Sequence, residues 1–152
     1  MTKRSRAFHA DPAQSVGYLI RDSSRLILTK LQGLIEPHGV TLGQYFVLRE
    51  LWQTEGITQR ELSDRMAIQE PSTVAAIDAM EKRDLVVRVR SKQDRRKIHL
   101  YLTAYGRGLR EELLGAAASV INGATADFSA QEIEMLRTLL QKVKSNLGGS
   151  DV

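Results

Sequence analysis

Eight bases fall between Lys82 and Lys97 (Lys82, Arg83, Arg88, Arg90, Lys92, Arg95, Arg96, Lys97), against only Asp84 and Asp94, a local charge of +6. The 152-residue chain carries +4 in all, so everything outside that segment sums to −2. A basic stripe on a near-neutral body is what a polyanionic partner selects for, whereas a merely solvated face mixes its signs more evenly. Within the stripe valines interleave with arginines from Leu85 to Arg90. From Lys97 to Thr103 the chain alternates strictly, with Ile98, Leu100 and Leu102 on one face and Lys97, His99 and Tyr101 on the other. Period two predicts a half-buried two-stranded ribbon. Its connection, Ser91-Lys92-Gln93-Asp94-Arg95-Arg96, is polar and too long for a two-residue turn, so it is expected to stand out from the body. At such a tip Arg95 and Arg96 can reach a minor groove, where negative potential is strongest over A/T tracts. Asp94 would repel a polyanion unless it braces Arg96, two residues on, and that brace is expected.

Other chemistries lack their residues. With 0 cysteines there is no disulfide, thiolate metal site or thiol switch. Three histidines, His9, His38 and His99, without an H-x-x-x-H spacing recommend no metal site. There is no glycine-rich phosphate loop, nucleophile elbow or paired-carboxylate context, so neither catalysis nor a cofactor is expected. The composition, 42% apolar and 26% charged, is that of a globular domain able to bury its own core. The start, MTKRSRAFHADP, has no apolar stretch for a signal peptide, and no run is long enough to span a membrane. A cytoplasmic protein is the expectation.

The rest of the chain reads as helix. Residues 1–10 are basic and unpatterned and are expected to form a flexible arm. Asp11-Pro12 with Gln14 reads as a helix start, followed by apolar residues at three-and-four spacing to about Glu36, where Pro37-His38-Gly39 stops it. Thr41 with Gln44 opens a helix through Trp52, Thr58 with Glu61 one through Met66, and Ser129 with Glu132 the last. In each, the first side chain accepts from the third helical amide while the later one reaches back. A further helix is expected from about Glu70 to Arg83. Beyond Thr103, one stripe runs through Leu109, Leu113, Ala116, Ala117, Val120 and Ile121. Another runs through Ile133, Leu136, Leu139, Leu140 and Val143. Terminal helices apolar over more than one face suggest burial against a second copy.

A short helix, a turn, a second helix and a basic ribbon describe a winged helix-turn-helix. The fold class expected is mainly α, with a small two- or three-stranded β-wing and a helical homodimer interface. In the second helix Thr73, Val74, Ile77 and Met80 share an arc suited to the core, and Ser72, Ala75, Ala76, Ala79 and Arg83 another. Exposed alanines suit a helix pressed into a major groove, where methyl groups can touch thymine methyls. The expected DNA-contacting residues are Thr58, Gln59 and Arg60, then Gln69, Ser72, Thr73, Ala76 and Arg83. On the ribbon they are Arg90, Lys92, Asp94, Arg95 and Arg96.

Asp94-Arg95-Arg96 followed by Leu102-Thr103 fits the D-x-R-x-x-x-x-x-L-T wing signature of the MarR family of transcriptional regulators. The stretches from Glu70 to Val74 and from Met80 to Val86 resemble its recognition helix and wing start, and Gly39 to Tyr45 the entry to its second helix. The resemblance spans about residues 12–147. It implies a triangular homodimer on a pseudopalindromic operator, with dimer helices at about 12–36 and 104–147 and a DNA-binding lobe at about 41–103, within a domain of 11–148. It further implies repression relieved by a small effector, such as an aromatic acid or acyl-CoA. Tyr18, Arg21, Arg25, His38, Tyr45 and Trp52 are the candidate effector-binding residues. Two departures stand out. Ala75 and Ala76 replace a hydroxyl residue and an arginine, and Asp84 replaces a glycine, so an L-residue must take or avoid the left-handed conformation there. The rival readings are an effector-independent architectural DNA binder and a helical protein-interaction module.

Overall fold

The computed structural model describes residues 15–67 and 70–149. The expected basic arm and the helix start at Asp11, Pro12 and Gln14 lie outside the described residues. The first described helix, α1 (Val16–Ile35), is entered at Ser15, whose extended backbone (φ −78°, ψ 116°) and side-chain bond from the Tyr18 amide cap it. The helix ends in a 3-10 turn, Glu36–His38, closed by Gly39 at φ 69°.

Local chemistry sets the next elements. Helix α2 (Leu42–Gln53) starts with a complete Thr41–Gln44 capping box and buries Tyr45, Val47, Leu48 and Leu51. Burial raises the Tyr45 phenol above its ordinary value, an effect only partly offset by Arg49. Strand β1 (Ile57–Thr58) runs straight into α3 (Gln59–Met66), capped by the Thr58–Glu61 box and ended by Ala67 at φ 51°. Helix α4 (Glu70–Lys82) follows, then β2 (Val86–Arg90) and β3 (Ile98–Leu102). The sheet has three antiparallel strands in the order β1-β3-β2, so β1 adds an edge to the expected ribbon. Val86 faces Leu102, Arg88 faces Leu100 and Arg90 faces Ile98, while Ile57 also faces Leu100. Leu100 and Leu102 are buried and Tyr101 is exposed, as period two required.

Chain reversal between α4 and β2 falls on Asp84, which adopts φ 56°. The L-residue thus takes the left-handed position that glycine occupies without strain. Helices α5 (Ala104–Gly108) and α6 (Arg110–Ala124) run on from the sheet, and α7 (Ala130–Asn146) returns after the Ser129–Glu132 capping box. One core joins α1, α2, α4 and the sheet to α6, through Ile35, Leu48, Leu51, Ile77, Met80, Leu100 and Leu113. Helix α7 buries none of its residues, and leaves Met135, Leu136, Leu139, Leu140 and Val143 exposed. Val16, Leu19, Leu26 and Leu34 on α1 are exposed too. Among the described residues no helix is long and apolar enough to cross a membrane.

Candidate nucleic-acid interface

The helix pair is pinned by a buried hydroxyl contact. Ser63 on α3 and Thr73 on α4 place their oxygens 2.8 Å apart, and Ser63 Oγ also donates to the Gln59 carbonyl at 2.9 Å. Thr73 has no exposed surface. This corrects the expectation that it meets a base edge or phosphate: its hydroxyl is spent on α3, because its side chain shares the arc of Ile77 and Met80. Ser72, one residue earlier, is exposed. Ala75 and Ala79 are exposed as well, but Ala76 is half-buried and stands off the outer arc. Gln69 lies outside the described residues.

The wing tip is held from within. Ser91 Oγ accepts from the Gln93 and Asp94 amides, each at 3.2 Å, and the Lys97 amide donates to the Asp94 carbonyl at 2.9 Å. Asp94 Oδ1 accepts from Arg96 twice, from its amide at 3.1 Å and from Nε at 3.2 Å. Those two bonds, the side-chain one first, hold the Asp94 carboxyl below its ordinary value. The Arg96 side chain nevertheless stays 91% exposed. Arg90 Nη1 donates to the Arg95 carbonyl at 2.6 Å, so a second guanidinium stiffens the loop instead of pointing away from it. Arg95 and Lys92 are exposed.

Two arginines of the stripe are turned inward. Arg88 points toward α4, where Nη1 donates to Asp78 Oδ1 at 2.6 Å and Glu81 Oε2 at 2.8 Å. Its Nε donates to Gln59 on α3, and its Nη2 reaches the Val74 carbonyl at 3.3 Å. Only 19% of the side chain is exposed, and two carboxylates more than match its charge. Arg83 donates to the Gly39 carbonyl, where a Cβ would collide with the guanidinium. As placed, Arg83 braces the end of α4 against the α1–α2 connection, a role sequence spacing does not anticipate. Gln59 is likewise occupied by Arg88, and Thr58 by its capping box, while Arg60 is exposed.

The wing root is a second junction. Thr103 donates its hydroxyl to the Asp84 carbonyl, its amide to Leu85 O at 3.1 Å, and accepts from the Gly106 amide at 2.9 Å. Gly106 sits so close that a Cβ would lie 2.2 Å from the Leu85 carbonyl oxygen, and its own carbonyl accepts from Trp52 Nε1 at 3.0 Å. Glu55 takes a forked pair from Arg107 at 2.7 and 2.8 Å and the Leu102 amide at 3.2 Å. Its carboxyl is lowered, chiefly by Arg107.

A model of the MarR family matches residues 40–98, from the end of the α1–α2 connection through the wing tip to the start of β3. The transcriptional repressor CouR bound to a 23-mer DNA duplex superposes with a TM-score of 0.81 at 27% identity, covering 88% of this chain and 95% of that one. Over residues 40–98 the chain matches the MarR family, and its fold is similar to that of a DNA-bound repressor. The family is one of DNA-binding transcriptional regulators and not of enzymes. CouR from Rhodococcus jostii RHA1 bound to p-coumaroyl-CoA shares the fold at 22% identity, with a TM-score of 0.77 over 88% of this chain and 94% of that one. The regulator TtmR of Methylorubrum extorquens is 25% identical over 80% of this chain, which spans 63% of that protein's length.

The six residues expected to bind an effector do not converge. Tyr45 is 1% exposed and stacks edge-on against Phe46 and Trp52 within the core, which corrects its assignment to a ligand site. Trp52 is half-buried and bonded to Gly106, serving the wing root instead. His38 pairs with Glu112 of α6 at 3.1 Å. Arg21 and Arg25 do share a shallow groove of about 550 Å³ with Leu28, Gln32 and Leu42, although Asp22 already pairs with Arg25 at 2.8 Å. Tyr18 lies beside them, its ring 5.9 Å from the Arg21 guanidinium. A larger cleft, about 920 Å³, opens between α1, α6 and α7 and contains none of the six. Among the described residues no cluster of three or more His, Asp or Glu side chains is placed to hold a metal ion.

Proposed function

We propose that the chain acts as a homodimeric, sequence-specific repressor that grips a pseudopalindromic operator and releases it on binding a small aromatic acid or an acyl-CoA. The observation that carries the DNA half is the protruding wing tip, where Asp94 orients Arg96 while leaving that guanidinium almost wholly in solvent. Such a group neutralises a phosphate or enters a minor groove without first breaking an internal contact. Lys92 and Arg95 add exposed charge beside it, and Arg60 and Ser72 lie on the helix pair. The DNA-binding lobe on this reading is about 41–103, with about 12–36 and 104–147 serving the dimer.

The dimer half is supported by the uncovered apolar surface of α1 and α7. Leu26, Leu34, Phe128, Leu136 and Leu140 line the 920 Å³ cleft, with exposures of 40–48% in a single chain. A second copy would cover them and set the two α4 helices about 34 Å apart, one duplex turn. The effector half is supported by Arg21 and Arg25 beside Tyr18 and Leu28, a cationic and partly apolar groove suited to an aromatic carboxylate. The p-coumaroyl-CoA held by CouR is an aromatic acyl-CoA, the other effector class proposed.

The test begins with selection of bound genomic fragments and continues with gel-shift titrations across a salt series. Arg96→Ala is expected to lower operator affinity and to flatten the slope of log affinity against log salt by about 0.9 for each phosphate it no longer neutralises. Ultracentrifugation is expected to find the variant still dimeric. An unchanged slope removes the wing contact. A calorimetric screen of benzoates, cinnamates and their thioesters in which no binder releases DNA removes the effector half alone.

A further inference from the structure

The outer face of α4 interleaves a few polar side chains with small methyl-bearing ones. From Pro71 onward its exposed positions are Pro71, Ser72, Ala75, Asp78, Ala79 and Lys82. Asp78 is engaged by Arg88 at 2.6 Å, and Lys82 stands at the helix end. That leaves Ser72, Ala75 and Ala79, at i, i+3 and i+7, as one stripe carrying a single hydroxyl and two methyl groups. In the major groove each base pair is distinguished by donors and acceptors, except that thymine also offers a C5 methyl. A methyl stripe gains by covering that apolar group and loses by covering unpaired polar edges. We propose that Ala75 and Ala79 determine operator specificity by reading thymine C5 methyl groups. This rests on the DNA-binding function proposed above and adds what that reading leaves open, the base feature recognised by the helix.

The experiment uses the full chain and a random duplex pool. Sequences enriched by binding are expected to carry thymine at one or two fixed positions in each half-site. Each such thymine is then replaced by deoxyuridine, which keeps the base pair and removes only the methyl. Affinity is expected to fall about three- to fourfold per methyl removed, at those positions and not elsewhere in the duplex. Ala75→Gly and Ala79→Gly are expected to bind the thymine duplex as weakly as the wild type binds the deoxyuridine one, and to lose sensitivity to the replacement at their own position. The inference is overturned if a strongly enriched operator tolerates deoxyuridine at every thymine within twofold, or if the glycine variants keep full sensitivity. A chain that enriches no sequence overturns the DNA reading itself, and is distinguishable because no operator then exists to substitute.

Discussion

Replacing Arg88 with methionine keeps most of the aliphatic stem and removes the guanidinium that ties β2 to α3 and α4. The bonds removed run to Asp78, Glu81, Gln59 and the Val74 carbonyl. Removing one partner of a fully buried ion pair costs about 3–5 kcal/mol, whereas an exposed pair is worth about 0–1. Arg88 is 19% exposed, but Asp78 and Glu81 are 52% and 36% exposed, so solvent screens much of their repulsion once the cation is gone. A loss of about 2 kcal/mol follows, or about 4–8 °C in Tm for a domain of this size, measured at fixed protein concentration. The effect on DNA is more telling than the effect on stability. Because two carboxylates already neutralise Arg88, its removal is expected to weaken operator binding through a looser wing while leaving the salt slope unchanged. Arg95→Ala, at an exposed tip position, is expected to flatten the slope by about 0.9 per contact. If R88M flattens it equally, Arg88 is a phosphate ligand and the internal clamp is wrong.

Asp84→Gly is expected to stabilise the fold by about 0.5 kcal/mol, since glycine relieves the φ of 56° but returns part of the gain as unfolded-chain entropy. Urea unfolding at unchanged m-value checks it. Gly106→Ala sets a Cβ 2.2 Å from a backbone carbonyl oxygen, and a loss of about 1–3 kcal/mol is expected in the same assay. Glu55 has its folded pKa depressed, so its contribution is complete above the ordinary glutamate value and disappears as pH falls through the lower folded one. Glu55→Gln is accordingly expected to flatten the acid limb of stability against pH below about 4.5 while leaving its shape above about pH 6 unchanged.

Much of this architecture is legible because its determinants are short-range. A capping box needs only residues three apart, which is why Thr41–Gln44, Thr58–Glu61 and Ser129–Glu132 all open helices where their spacing put them. The β2–β3 ribbon is equally local, since alternation alone separates Leu100 from Tyr101. Side-chain roles depend on neighbours distant in sequence, and there spacing misleads. Thr73 and Ser72 are adjacent hydroxyl-bearing residues, yet only the core arc decides that one is buried on Ser63 and the other faces out. Tyr45 and Trp52 carry polar atoms suited to a ligand, but α2 turns both toward other elements. Arg88 had a usable signal: it shares parity with Val86, the inward face of β2, and Asp78 and Glu81 stand three apart on α4 to receive it. Arg83 had none, because its partner is a backbone carbonyl at Gly39, invisible to any pattern of side-chain types.

Trp52 is the chain's sole tryptophan, and its indole N–H is fastened to the first turn beyond the wing. Its emission therefore comes from one known seam, where the stalk helices meet the part that would touch an operator. Any compound that shifts that seam by prying Gly106 from the indole alters the colour and yield of an intrinsic fluorophore, without labels or engineered dyes. Because the indole has an apolar body and a polar tip, its spectrum responds to the wetting of that joint, and a structural bolt becomes an optical readout of conformational change.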